Sequence, residues 1–307
     1  MATGMAIMGF GGGAFIASPL SVWLMNRFSS PTHVGVAETF IALGLIYLCF
    51  MMVGAAIVRV PPRGWEPAGY VAPAQPKRLV TTRDVFVYDA LKTPQFWLVW
   101  LVLCLNVTAG IGVLGQASAM SQEMFHHRIT PVAASGLVGL FSLFNMGGRF
   151  LWSSVSDYIG RKSTYFIFFA LGTLLYALVP TSGAIRSVAL FVFCYAVIFS
   201  MYGGGFATVP AYLRDLFGTR YVGAIHGMLL TAWSMAGILG PVLVNYIREY
   251  NVTHGVPTAQ AYNVTMYVMA CLLVVGFIAN ALIRPVAERH FIGETGHRGI
   301  RRQAVAE

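Results

Sequence analysis

One arginine is unusual because of its surroundings. Arg149 lies within residues 132–153, an otherwise uncharged and mostly apolar stretch that is long enough to cross a bilayer. It precedes Asp157 by eight residues, which corresponds to roughly 12 Å along a helix at about 1.5 Å per residue. A guanidinium so deep in hydrocarbon is costly unless it faces a watery cavity or an anion, and its planar fork matches a carboxylate. Arg149 is therefore a candidate anion ligand. The alternatives are a snorkelling arginine and one that latches the following loop.

The loop after this stretch is polar and basic, and reads Ser156-Asp157-Tyr158-Ile159-Gly160-Arg161-Lys162. Gly160 allows a tight turn, and Asp157 can accept hydrogen bonds from Arg161 or face the N-terminal end of the next helix. Such contacts hold one conformation in place. We therefore predict a conformational latch, composed of Asp157, Gly160, Arg161 and Lys162. The alternative is a basic turn that only follows the charge asymmetry of membrane proteins.

Other chemistries find no support in the sequence. The four cysteines lie in separate apolar stretches without CxxC spacing, which argues against disulfides and a zinc site. No HExxH, P-loop or Ser/His/Asp order is present, and the glycine-rich runs lack the strand and acidic residue of a nucleotide-binding fold. We expect no enzyme activity, no cofactor and no metal.

The composition shows which elements must position these residues. The 307 residues are 57% hydrophobic and 10% charged, against about 45–50% and about 25% in soluble domains. Eight apolar stretches are long enough to span a membrane, namely residues 4–25, 36–58, 94–117, 132–153, 164–180, 187–210, 222–247 and 263–283. Glu38 and Arg149 are the only Asp, Glu, Lys or Arg residues inside them. Because backbone groups in lipid must be satisfied within each span, the sequence predicts an all-α, polytopic membrane bundle of eight transmembrane helices.

Basic residues are distributed unevenly between the two sides of this bundle. Fifteen Lys and Arg lie after the second, fourth and sixth stretches and in the C-terminal tail, whereas four lie in the other connections. Because cytoplasmic loops carry the Lys/Arg excess, we expect a multi-pass protein of the inner (plasma) membrane with a cytoplasmic C-terminus. Topology and anionic lipid also account for the net charge of +9. We therefore expect membrane lipid as a partner and no nucleic acid, while the oligomeric state stays open.

One connection, residues 59–93, is long and contains five prolines. It predicts a cytoplasmic linker between two bundles. The expected organisation is a two-helix remnant of a first bundle (1–58), this linker, a six-helix C-terminal bundle (94–285) and a basic cytoplasmic tail (286–307). Many secondary transporters have two six-span halves joined by a long loop. The 2+6 layout is thus expected of such a protein without its first four spans, through natural truncation or a start codon assigned too late.

Several segments carry a family resemblance. Residues 148–162 resemble the loop signature of the major facilitator superfamily between helices eight and nine, with Ser153 at a position where a glycine would permit closer packing. Residues 202–219 and 223–234 look like helices ten and eleven of the oxalate/formate antiporter family, which also includes lactate-type carboxylate transporters. Residues 8–13 and 59–65 are similar to that family's fifth helix and the loop after its sixth.

The resemblance implies antiport or proton symport of a small carboxylate, such as formate, oxalate or lactate, by alternating access. The family's substrate-binding arginine corresponds to Arg149, and the helix-ten aromatic residues of its cavity to Tyr202 and Phe206. Trp233 replaces a helix-eleven lysine of the oxalate exchanger, and a single cation suits a monocarboxylate better than oxalate. For the aromatic residues, ordinary packing is the alternative. A second hypothesis is a transport-incompetent, truncated membrane protein that acts as an accessory subunit.

Two further patterns concern helix packing. Glycines indicate close helix approach at Gly9-x-x-x-Gly13, Gly223-x-x-x-Gly227 and Gly203-Gly204-Gly205. Polar residues in or near the spans are each expected to form interhelical hydrogen bonds rather than to bind substrate; they are Gln116, Asn145, His226 and Thr231.

Overall fold

The computed structural model describes residues 2–59, 62, 79–125 and 128–292. Over these residues the secondary structure is helical, and the α-helices are α1 (Ala2–Phe28), α2 (Val36–Ile57), α3 (Val87–Ala90), α4 (Pro94–Leu114), α5 (Ala117–Met124), α6 (Pro131–Ile159), α7 (Arg161–Ala184), α8 (Val188–Phe217), α9 (Val222–Leu229), α10 (Thr231–Thr253) and α11 (Asn263–Leu282). Short 3-10 helices occupy Thr258–Gln260 and Glu288–His290. Most of the predicted linker 59–93 and of the tail 286–307 lies outside the described residues.

Seven helical segments in the described residues have the length and apolar composition to cross a membrane. They are Gly4–Phe28, Val36–Ile57, Pro94–Leu114, Arg161–Ala184, Val188–Phe217, Val222–Thr253 and Thr258–Leu282. The predicted stretch 132–153 forms most of α6, which is 29 residues long but is not one of the seven. A stripe of buried polar residues explains this difference, because it recurs every three or four residues along one face of α6: Ser142, Asn145, Arg149, Ser153 and Ser156.

The helix boundaries follow local signals in the sequence. The hydroxyls of Thr93, Thr130 and Ser187 each accept a hydrogen bond from the backbone N–H three residues later, at 3.3, 3.2 and 3.3 Å, and so cap α4, α6 and α8. Gly160 ends α6 with φ +90° and Gly218 ends α8 with φ +86°, a conformation that side chains with a Cβ rarely adopt. Both helices continue past the predicted apolar stretches and include the polar residues that follow them.

The predicted span 222–247 is two helices in the structure. α9 and α10 meet at Leu230, and the Thr231 hydroxyl donates to the Met228 carbonyl at 2.9 Å. A hydroxyl that hydrogen-bonds a backbone carbonyl one turn earlier competes with the helical pattern. The break therefore lies between His226, one of the polar residues of the spans, and Trp233, one of the predicted binding residues.

The chain forms two compact units, Met1–Gly13 with Pro76–Glu307 and Ala14–Gln75. In the first unit α6 packs along α8, α4 along α10 and α7 along α11. Buried tyrosines tie this unit together, since the Tyr165 hydroxyl donates to the Gly205 carbonyl at 2.7 Å and the Tyr176 hydroxyl to the Ala109 carbonyl at 2.6 Å. In the second unit, large apolar side chains of α2 such as Phe40 and Phe50 are exposed.

Glycines bring the helices of the first unit together, but only some of the predicted ones do so. A Cβ would collide with the neighbouring helix at Gly203, Gly204 and Gly205, as expected. The paired motifs were wrong as packing sites, because no described atom lies within 4 Å of where a Cβ would stand at Gly9, Gly13, Gly223 or Gly227. On α1 the close contacts with α6 are instead at Gly4, Gly11 and Gly12. The spacing identifies glycines that share a face, but it does not show which face is packed.

Candidate functional site

Arg149 is fully buried in α6. Its Nε donates a hydrogen bond to Asn145 Oδ1, one turn earlier, at 3.2 Å. The guanidinium carbon lies 4.9 Å from the ring centroid of Phe10 on α1 and 5.1 Å from that of Phe206 on α8, and both are cation–π distances. Gly11 makes room for this side chain, because a Cβ there would lie 2.8 Å from Arg149 Nε. Both Nη atoms are buried and have no hydrogen-bond partner in the part of the chain that the structure describes.

The contacts to Arg149 do not fully compensate its burial. Each cation–π contact contributes on the order of 2 kcal/mol when desolvated, whereas burying one charge costs several kcal/mol. Each buried donor without an acceptor adds about 1–3 kcal/mol to that cost. The two Nη groups form the edge of the fork that binds both oxygens of a carboxylate. The site thus contains a buried cation with Nη donors for which the described residues supply no acceptor.

Aromatic rings surround the guanidinium. The Trp233 ring of α10 meets Phe206 edge to face, with centroids 4.5 Å apart, and lies 6.0 Å from Phe10. The Tyr202 ring lies 6.2 Å from that of Trp233. The structure therefore brings together the four residues of the predicted binding set, and each of the three helices α6, α8 and α10 supplies at least one of them.

Phe10 belongs to the same cluster, although no sequence pattern selected it as a ligand-binding residue. It stacks on Phe206 with centroids 6.2 Å apart and contacts Arg149 from α1. The available signal was an aromatic residue within the glycine-rich run 9–13. That signal does not say which helix the ring contacts, because α1 and α6 are far apart in the chain.

The other polar residues of the spans have different partners. Gln116 donates to Asn245 Oδ1 at 2.7 Å, and Thr231 accepts from Trp100 Nε1 at 2.9 Å, so both form the interhelical hydrogen bonds that were expected. Asn145 instead accepts from Arg149 and positions it. His226 differs again, because its buried Nε2 has no hydrogen-bond partner among the described residues.

The predicted latch residues lie where α6 meets α7. Asp157 accepts from Arg161 at 2.6 Å, and Arg161 also reaches Asp215 of α8 at 3.5 Å and donates to the Ser156 hydroxyl at 2.6 Å. Burial by itself would raise the pKa of Asp157, but its hydrogen bonds and the nearby Arg161 charge hold that pKa below its usual value. Arg161 therefore joins α6 to α8.

Lys162 has a separate role in the structure. Its Nζ donates to the carbonyls of Ala281 and Ile283 at 2.9 and 2.6 Å, and these oxygens belong to the C-terminal end of α11. Asn280 returns a hydrogen bond to the Lys162 carbonyl at 2.9 Å. Lys162 thus caps the C-terminal end of α11, while Asp157 and Arg161 join α6 to α8.

Comparison with known proteins places this geometry in context. Residues 1–241 match the family model described as Major Facilitator Superfamily. The chain is 32% identical over 244 residues to the oxalate:formate antiporter of Oxalobacter formigenes, which covers 78% of this chain and 53% of that protein. It is 24% identical over 290 residues to apicoplast pyruvate carrier 1 of Toxoplasma gondii, covering 78% of this chain and 51% of the carrier.

Two further comparisons concern a bacterial relative and the fold. The uncharacterized MFS-type transporter YhjX of Escherichia coli K12 is 22% identical over 210 residues, covering 67% of this chain and 48% of that protein. The chain thus spans about half the length of the curated relatives it matches. A crystal structure of a bacterial homolog to the human lysosomal transporter Spinster, inward-facing and unoccupied, aligns with a TM-score of 0.56 at 15% identity. The alignment covers 91% of this chain and 67% of that one, and it shows the shared fold.

Proposed function

Because this chain belongs to the Major Facilitator Superfamily of multi-pass membrane transporters, we propose that it takes part in secondary transport of a small carboxylate that binds at Arg149. One observation carries this proposal: a fully buried guanidinium that contacts two aromatic rings, with both Nη groups lacking an acceptor in the described residues. The same observation fits alternating access, in which the site binds an anion that enters and leaves.

The chemistry of the site favours a carboxylate over other anions. The two Nη groups match two carboxylate oxygens in one plane. Two relatives point in the same direction, since they are an oxalate:formate antiporter and a pyruvate carrier. Trp233 stands beside Phe206 without adding a second charge. We therefore propose a monocarboxylate such as formate, lactate or pyruvate in preference to oxalate, moved by exchange or with a proton.

The arrangement in the membrane is part of the same proposal. In this arrangement α6, which contains the fourth predicted stretch, crosses the membrane with its polar stripe facing the bundle interior, where Arg149 meets its ligand. We propose that the Gly160 turn and the C-terminal tail lie on the cytoplasmic side of the inner membrane, because the connections at that end are basic. The count of basic residues supports this orientation, at fifteen against four.

The direct test is uptake into liposomes that contain the purified 307-residue chain. We expect uptake of labelled formate, lactate or pyruvate, and a loss of at least tenfold in R149Q, because the variant keeps hydrogen-bonding capacity but lacks the charge. R59Q is the matched control, since Arg59 is an exposed arginine at the end of α2. Undiminished uptake by R149Q would exclude Arg149 as the binding residue. Folded wild-type chain that moves no carboxylate would instead favour the accessory-subunit hypothesis.

A further inference from the structure

A cavity of about 440 Å³ lies beside the Arg149 site. Its polar lining includes Ser153, Asp157, Arg161, Arg214 and His226. This volume is within the range of small-molecule sites, about 300–1,000 Å³. The lining holds two arginines; Arg161 is shared between Asp157 at 2.6 Å and Asp215 at 3.5 Å, so Arg214 is the lining cation outside these two pairs. The cavity is therefore suited to an anion.

The cavity is lined by chain neighbours of the site residues on three helical segments. Ser153 follows Arg149 by one turn of α6, and Ala207 is the residue after Phe206 on α8. His226 precedes Trp233 by about two turns across the break at Leu230. Each segment thus supplies one residue to the site and another to the cavity.

Phe206 separates the two spaces. Its ring centroid lies 5.1 Å from the Arg149 guanidinium carbon and 6.4 Å from the centroid of the His226 ring. The His226 Nε2 atom is buried and has no hydrogen-bond partner among the described residues. A buried polar atom without a partner is rare in native structures, and each one calls for an explanation. His226 lines the cavity through other atoms of its side chain.

We propose that this cavity is a second binding station for the small carboxylate, in which the His226 side chain and Arg214 bind the anion. Phe206 is the barrier between this station and Arg149, so the two stations are occupied in succession. The inference rests on the proposed function, because the ligand is the same carboxylate. It adds a residue that acts on one side of the membrane only.

The test compares the two faces of the membrane. Formate or pyruvate transport is measured in inside-out and right-side-out vesicles from cells that produce the chain. In H226F, which keeps a ring but lacks the donor, the half-saturating concentration at the cytoplasmic face should rise about tenfold, with no change at the external face. H226Q, whose amide N–H can donate from a similar position, should stay within about threefold of the wild type. H254F is the matched control, because His254 is an exposed histidine at the other end of α10.

The outcomes separate this inference from the proposed function. Wild-type transport that depends on Arg149, together with an unchanged or equally shifted H226F at both faces, would overturn the second station alone. A shift confined to the external face would overturn it as well. Absence of carboxylate transport by the wild type would overturn the proposed function and this inference together. If H226F is not recovered in the membrane, H226L is compared with H226Q in the same assay.

Discussion

Phe206 has the largest number of roles of any single residue in the site. Its ring contacts the Arg149 guanidinium, stacks on Phe10, meets Trp233 edge to face and borders His226. The same side chain thus contacts the buried cation and lies between it and His226. On the proposed function, we expect a change at Phe206 to affect binding from both faces of the membrane, unlike a change at His226.

We expect F206L to raise the half-saturating carboxylate concentration about tenfold at both faces, since a cation–π contact contributes roughly 1–2 kcal/mol. F206Y keeps the ring and should bind nearly as the wild type. The measurement is the concentration dependence of uptake. Phe193 is on the same helix but 59% exposed, so F193L controls for loss of an aromatic residue. Equal half-saturation in F206L and F193L would refute this role.

At the scale of elements, the contact between α6 and α8 holds the site together, because these two helices carry Arg149 and Phe206. Gly148 allows that contact: a Cβ there would collide with the backbone of Ser200. The adjacent Gly147 has no described atom within 4 Å of the same point. Gly148 thus faces the packed side of α6, and Gly147 faces an open side.

G148A should lower the free energy of unfolding by about 1–3 kcal/mol, because the added methyl group forces a contact. The melting temperature of the purified chain should fall accordingly. G147A should be neutral or stabilising, because alanine exceeds glycine in helix propensity by about 1 kcal/mol. Thermal unfolding in detergent measures both. The packing of α6 on α8 would be contradicted if the two variants melted at the same temperature.

The ion pair between Asp157 and Arg161 is a second feature at this scale, and its contribution depends on pH. The pKa of Asp157 is below its ordinary value in the folded chain. The stabilisation is therefore present above the ordinary pKa of an aspartate, about 3.9, and is lost as the pH falls through the lower folded value. D157N should melt below the wild type at pH 7, and the difference should close in strong acid.

Asp89 supplies the control for this experiment. It pairs with Lys92 at 2.9 Å in an exposed position, where ion pairs contribute little. D89N should therefore melt as the wild type does at both pH values. A deficit of D157N that persists unchanged in acid would show that the charge of Asp157 is not what stabilises the turn.

At the scale of the molecule, the basic connections gather at one end of the first unit. The Val85 N–H donates to the Phe217 carbonyl at 2.9 Å, and the Ile292 N–H donates to the Asp84 carbonyl at 2.9 Å. Lys162 donates to the Ile283 carbonyl, just after the end of α11, at the same end of the unit. The described segments after α2, α6, α8 and α11 are thus hydrogen-bonded neighbours, as one side of a membrane protein requires.

Thiol labelling tests this orientation. In a chain whose four native cysteines are replaced by serine, K92C should resist a membrane-impermeant reagent in intact cells and react after permeabilisation, because Lys92 lies at the basic end. H254C should react in intact cells, since His254 is exposed at the other end of α10. The reverse pattern would invert the proposed topology.

Part of this architecture follows from the sequence because it depends on local properties. Hydropathy located the apolar helices, and Gly160 marked a turn. Arg149 could be selected in the same way, since a charge within an apolar stretch is visible without knowledge of its neighbours. The polar stripe of α6 is also local, and it lowers the hydropathy that identifies the other spans.

The tertiary structure decided which residues meet. The sequence alone could not show that Phe10 packs on Arg149, that Gly11 rather than Gly9 faces α6, that Lys162 closes α11, or that His226 Nε2 lacks a partner in the described residues. Each of these facts depends on how helices distant in the chain rotate and pack against one another. Residue types and spacing determine a helix and its faces, whereas the choice of neighbouring face is made by packing across the whole bundle.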